Sequence, residues 1–164
     1  MKLTMQISYF LCLLIFLTSC GGDDSETPNE PIDDKPVLES NEFCESTDGT
    51  DKVWGTIDSY DHIEVTKGDY IHIEINDVTI QDIIYPNVST RCILIKGEET
   101  FPINFKTFFN KQDIDSTSTY KVYVRYYKLN TEGSYELTHW LNEAVFVLTK
   151  GNDDFADIVI ERVD

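Results

Sequence analysis

An alternation of apolar and polar residues with a period of two governs what this chain can fold into. In Tyr70-Ile71-His72-Ile73-Glu74-Ile75-Asn76, Ile71, Ile73 and Ile75 fall on one face and His72, Glu74 and Asn76 on the other, the pattern of a strand with one wet side. The segment from Thr119 to Tyr126 repeats it, with Tyr120, Val122, Val124 and Tyr126 inward and Lys121, Tyr123 and Arg125 outward. In Phe101-Pro102-Ile103-Asn104-Phe105-Lys106 the same logic buries Phe101, Ile103 and Phe105. Pro102 restricts this segment to an edge or a strand start, because proline has no amide to donate.

Further strands are predicted over 52–58, 90–96, 135–140, 144–148 and 156–163. Turn sequences separate them: Lys67-Gly68-Asp69, Lys96-Gly97-Glu98, Asn130-Thr131-Glu132-Gly133 and Lys150-Gly151-Asn152-Asp153. No long segment has a helical period, and at most a turn of helix is expected near Lys111 to Ile114. About eight short strands at regular spacing predict an all-β domain over residues 44–164. The expected architecture is an antiparallel two-sheet β-sandwich of the immunoglobulin or transthyretin kind.

Residues 1–19 read as a secretory signal, with Lys2 followed by an apolar run from Ile7 to Leu17. That run is shorter than the about 20 residues needed to span a bilayer. Leu17-Thr18-Ser19-Cys20 resembles the lipobox of bacterial lipoproteins. The resemblance implies that Cys20 becomes the first mature residue and carries a diacylglycerol on its sulfur. The competing reading is an ordinary secretory signal with an incidental cysteine. Asp23, Asp24 and Glu26 resemble the acidic export signals of surface-displayed Bacteroidota lipoproteins, although any solvated tether can be acidic.

Residues 20–43 combine eight acids with Pro28, Pro31 and Pro36 and almost no large apolar side chains. Such a segment buries too little surface to offset the entropy of ordering, so a disordered, self-repelling tether is expected. The whole chain has 13 basic and 30 acidic side chains. Removing residues 1–19 takes away Lys2 and no acid, which moves the net charge from -17 to -18. That balance opposes nucleic acid and anionic headgroups, so the lipid at Cys20, and not a basic patch, is expected to hold the protein at a membrane.

Cys12 leaves with the signal and Cys20 is taken by lipid, which leaves Cys44 and Cys92. In an exported domain a disulfide between them is expected, with two buried free thiols as the alternative. Neither lies in a Cys-x-x-Cys pattern, so redox catalysis and a zinc site have no support.

Glu74-Ile75-Asn76-Asp77-Val78-Thr79-Ile80-Gln81-Asp82 resembles the strand-ending Leu-x-Asp-Val-Ser-x-x-Asp segment of the YbaY/YscW lipoproteins, which include pilotins of type III secretion. Phe101-Pro102-Ile103-Asn104-Phe105, Asp113-Ile114-Asp115 and Tyr120-Lys121-Val122 are similar to that family's Pro-Ile-x-Phe block, Ile-Asp turn and Tyr-x-Val strand. Val147-Leu148-Thr149-Lys150-Gly151 matches its Val-Leu-Thr-Arg-Gly element. The resemblance implies a small β-sandwich on a lipid anchor, without catalytic residues, that helps an outer-membrane secretin reach or assemble in its membrane. The cysteine pair and the acids after Cys20 depart from the family pattern, and surface display sits awkwardly with a periplasmic task.

Other chemistry is thinly represented. His62, His72 and His139 lie on or beside three separate strands without the spacing that presents two metal ligands together, so no metal site is expected. Asp77 and Asp82 flank a strand end, where calcium binding competes with the commoner role of an Asp bonding its own turn. No Gly-x-Ser-x-Gly, triad or phosphate-cradling loop is present, and no catalytic residue or cofactor is assigned. Asn87-Val88-Ser89 and Asp115-Ser116-Thr117 match short glycosylation motifs, the first of a eukaryotic kind.

The candidate binding surface is the outward stripe Tyr123, Arg125 and Tyr127, continued by Tyr135 or Trp140 on the next strand. It could anchor a protein partner or stack on a glycan, or consist of ordinary cross-strand pairs. The expected function is a non-enzymatic, lipid-anchored outer-membrane protein, on the periplasmic or external face, acting through contacts with an envelope protein. The rival is a surface-exposed carbohydrate-binding lipoprotein.

Overall fold

The computed structural model describes residues 45–80 and 84–164. The signal at 1–19, the tether at 20–43, Cys44 and Asp82 lie outside them. Among the described residues there are eight strands: β1 (Asp51–Ser59), β2 (Tyr70–Asp77), β3 (Asn87–Leu94), β4 (Ile103–Phe109), β5 (Tyr120–Leu129), β6 (Tyr135–Trp140), β7 (Val145–Val147) and β8 (Phe155–Arg162). A short 3-10 turn occupies Lys111–Asp113, where a turn of helix was expected.

The inward faces follow the alternation. Ile71, Ile73 and Ile75 of β2, Tyr120, Val122, Val124 and Tyr126 of β5, and Ile103 and Phe105 of β4 are all buried. They share a core with Val53 and Ile57 of β1 and Ile158 and Ile160 of β8.

The expected two-sheet sandwich does not form. One eight-stranded sheet runs in the order β3-β2-β5-β6-β8-β1-β4, with β7 also on β5, and it curls into a nearly closed, barrel-like wall. Period two states which side of a strand is buried, and a single sheet curled on itself buries one face as well as two stacked sheets do. The wall is not wholly antiparallel either, because β1 and β8 pair in parallel from Trp54 with Phe155 to Ser59 with Ile160. β6 and β7 share one edge of β5, with β6 against Arg125–Leu129 and β7 against Tyr120–Val122.

The end strands β3 and β4 meet through side chains. Ser89 Oγ lies 2.5 Å from Thr107 Oγ1 and donates to the Phe108 carbonyl at 2.7 Å. Residues 45–49 run along this seam. The Thr47 amide donates to the Thr90 carbonyl at 2.9 Å, and the Thr47 hydroxyl accepts from the Thr90 amide at 2.9 Å. The β3 edge is thereby covered.

β3 begins three residues earlier than expected, where the Asn87 side-chain amide donates to Asn76 Oδ1 at 2.8 Å. It stops short at its other end because the Ile95 amide turns to the Asp69 carbonyl, 2.8 Å away. β4 starts directly after the cis Phe101-Pro102 bond and forms one end of the sheet order, as a proline at that position requires.

Candidate interaction surface

Tyr123, Arg125 and Tyr127 alternate with the buried residues of β5 and are half-buried, with partners that occupy much of the stripe. Register places Tyr123 opposite Glu74, Arg125 opposite His72 and Tyr127 opposite Tyr70 on β2. Arg125 Nη1 forms an ion pair with Glu74 Oε2 at 2.7 Å. Tyr127 stacks on Tyr70 with ring centroids 4.6 Å apart, and Tyr135 meets Tyr70 edge-on at the same separation. Burial, reinforced by the neighbouring Tyr127 and Tyr135 hydroxyls, pushes the Tyr70 phenol up to about 12. Lys121 Nζ sits 4.7 Å from the Tyr123 ring centroid, a cation-π contact. Trp140, opposite Arg125 on β6, remains well exposed. The stripe is thus a set of cross-strand pairs with Trp140 as its most open ring.

Behind it lies a buried acid that looked in the sequence like a simple turn residue. Asp69 is fully buried. Its Oδ2 accepts from the Tyr126 hydroxyl at 2.6 Å and the Thr66 amide at 3.0 Å, while Oδ1 accepts from the Leu129 amide at 3.0 Å. Burial and the hydrogen bond to Asp69 raise the Tyr126 phenol far above its ordinary value. One carboxylate therefore ties the β1–β2 connection to β5.

The remaining candidates resolve into local roles. Asp77 accepts from the amide of Thr79 at 2.9 Å and from its hydroxyl at 2.5 Å. Partial desolvation raises its pKa, but these bonds outweigh it and hold the carboxyl below its usual range. Asp115 accepts from the Thr117 amide and hydroxyl, both at 2.8 Å, which lowers its pKa likewise. Both are acids bonding their own turns. His62 and His139 are brought to one cleft of about 540 Å³, whereas His72 faces outward on β2. Among the described residues no group of three or more His, Cys, Asp or Glu is arranged to hold a metal ion. Cys92 lies on β3 with its amide 3.5 Å from Ser46 Oγ. Its expected partner Cys44, like Cys20, is outside the described residues.

Two exposed features escaped the sequence reading. The β2–β3 connection presents Ile80 and Ile84 to solvent and, with Tyr85 and Pro86, walls a cleft of about 320 Å³ whose other sides include Asp77 and Asp115. On the outer face of β1 and β8, Trp54 is 46% exposed and Phe155 41%, their rings edge-to-face at 4.6 Å. The signal for Trp54 was its parity, opposite to Val53 and Ile57 within one predicted strand.

No protein-family model matches the chain, and no curated protein does. The chain is similar to the solved structure of an alternative pilotin from the type II secretion system of Vibrio cholerae. The TM-score is 0.61 at 15% identity, covering 70% of this chain and 97% of that one. The described barrel therefore has the fold of a secretion-system pilotin.

Proposed function

We propose that this chain is a lipoprotein of the bacterial envelope, anchored through Cys20, that acts without catalysis by holding another envelope protein in a pilotin-like role. The observation that carries the reading is the likeness to a pilotin over nearly all of that protein's length. The lipobox-like Leu17-Thr18-Ser19-Cys20 supports an anchor, and the motif order from Glu74 to Gly151 supports kinship with the YbaY/YscW lipoproteins. Solvent-facing Ile80 and Ile84 provide apolar surface of the kind that marks contact sites. The outer membrane is the expected location, and the Cys44 and Cys92 pair is assigned as a disulfide suited to that oxidising compartment.

A pull-down from detergent-solubilised outer membrane tests the role. The wild-type chain is expected to recover a membrane protein, and an Ile80→Asp/Ile84→Asp variant to lose it. Recovery no greater than with a Cys20→Ala control would count against the proposal.

A further inference from the structure

We infer that the outer face of β4, β1 and β8 is a lipid-contacting surface, built to lie against the headgroup region of the bilayer to which the chain is anchored. The inference rests on the anchoring reading above and adds an orientation to it.

Register lays the face out as rungs. Phe108 pairs with Lys52, then Lys106 with Trp54 and Trp54 with Phe155, then Asn104 with Thr56 and Thr56 with Asp157. The first two rungs hold three aromatic rings and two exposed lysines and no acid. Asp58, Asp157 and Glu161 lie on the further rungs, and Asp157 is engaged with the Thr56 hydroxyl at 2.7 Å. Asp51, Asp153 and Asp154 lie just off these rungs, Asp154 through a carbonyl that accepts from the Trp54 amide at 3.0 Å, so the spot free of acids is confined to the rungs themselves. The acidic remainder is repelled by anionic headgroups, so only a local spot of this kind can approach them.

Tryptophan and lysine side by side suit that boundary. The indole has an apolar body and one N–H donor, and the lysine stem lies along apolar surface while its ammonium reaches phosphate. The ring geometry disfavours a sugar as occupant. Trp54 and Phe155 meet at 66°, which makes a ridge and not the flat platform on which a pyranose stacks.

Backbone packing builds the ridge. A Cβ on inward Gly55 would lie 1.9 Å from the Ala156 carbonyl oxygen, so β1 and β8 approach closely just where Trp54 and Phe155 project. Residues 45–49 lie along the β3–β4 seam, which borders this face along β4. A surface this small would bind membranes weakly on its own. Beside a lipid anchor the effective concentration is high, and the same surface can set which side of the barrel faces the bilayer.

Trp54 and Trp140 are the two tryptophans of the chain, which makes the test direct. Full-length lipidated protein carrying Trp140→Phe is reconstituted into vesicles of phosphatidylethanolamine and phosphatidylglycerol with brominated acyl chains. Trp54 emission is expected to shift to the blue and to lose most of its intensity. The Trp54→Phe chain, reporting from Trp140, should be little quenched. Adding Lys52→Glu and Lys106→Glu to the Trp140→Phe chain should restore Trp54 emission without preventing flotation.

Absence of flotation would refute the anchor and this inference with it. Flotation with Trp54 unquenched, or with both tryptophans quenched alike, would overturn the orientation and leave the anchor standing. Shielding of Trp54 only after solubilised envelope protein is supplied would assign the face to a protein and overturn the lipid assignment.

Discussion

Ser89 Oγ and Thr107 Oγ1 stand 2.5 Å apart across the seam that closes the barrel, and neither residue is exposed to solvent. Because the Ser89 hydroxyl donates its proton to the Phe108 carbonyl, the Thr107 hydroxyl is the donor to Ser89. This pair joins two strands that share no backbone ladder. Ser89→Ala strands both partners in a buried place and is expected to cost about 1–3 kcal/mol. Urea unfolding of Ser89→Ala, Thr107→Val and the double variant should show less-than-additive losses, since either change removes the same bond. Strict additivity would mean that the hydroxyls do not act together.

Asp69 is the second point at which distant segments depend on one side chain. Asp69→Ala deletes the acceptor for Tyr126, Thr66 and Leu129, and charge-assisted bonds contribute about 1.5–3 kcal/mol each. A loss of at least about 3 kcal/mol is expected in denaturant melts. Tyr126→Phe should lose less, because the two amides still satisfy the carboxylate. A Tyr126→Phe loss equal to that of Asp69→Ala would point to ring packing as the cause.

The inward residues of β2 and β5 and the turns around Gly68, Gly97, Gly133 and Gly151, all at positive φ, could be read from alternation and local chemistry. Strand order could not. Alternation says which face Ile57 or Ile158 takes but not that β1 and β8 lie in parallel, and the seam rests on two small polar residues that look like solvent-facing ones. Asp69 was legible as a turn acid, whereas its bonds to Tyr126 and Leu129 span some sixty residues of chain. Tyr123, Arg125 and Tyr127 were placed on the right face, but the partners that occupy them come from a strand whose pairing had to be seen.

Gly55 is an inward glycine within β1, the residue type that lets a neighbouring backbone approach closely. Gly55→Ala forces the Ala156 carbonyl away and is expected to cost about 1–3 kcal/mol or more. It should also weaken the edge-to-face contact of Trp54 with Phe155, visible as a change in tryptophan circular dichroism. An unchanged melting temperature would show that the two strands yield easily.

His139 makes stability depend on pH. Burial, helped by Arg162 and Lys128 and opposed by Asp61, lowers its pKa from the ordinary 6.5. The unfolded chain then binds the proton more readily than the folded one. This contribution is fully present above about 6.5 and is lost as pH falls through that value toward the lower folded one. His72, whose pKa burial also lowers, acts in the same sense. Melting temperatures across this range should fall more gently for His139→Gln than for the wild type. An equally steep fall would assign the acid sensitivity to other groups.

The central claim is that a lipid on Cys20 delivers this barrel to its place of action. Intact-mass measurement of the protein extracted from the membrane fraction tests it most directly. The predicted result is a chain beginning at Cys20 with a diacylglycerol and an acyl chain added, and an unlipidated, signal-retaining chain for Cys20→Ala. A mature wild-type chain cut elsewhere, or starting at Cys20 without added lipid, would contradict it.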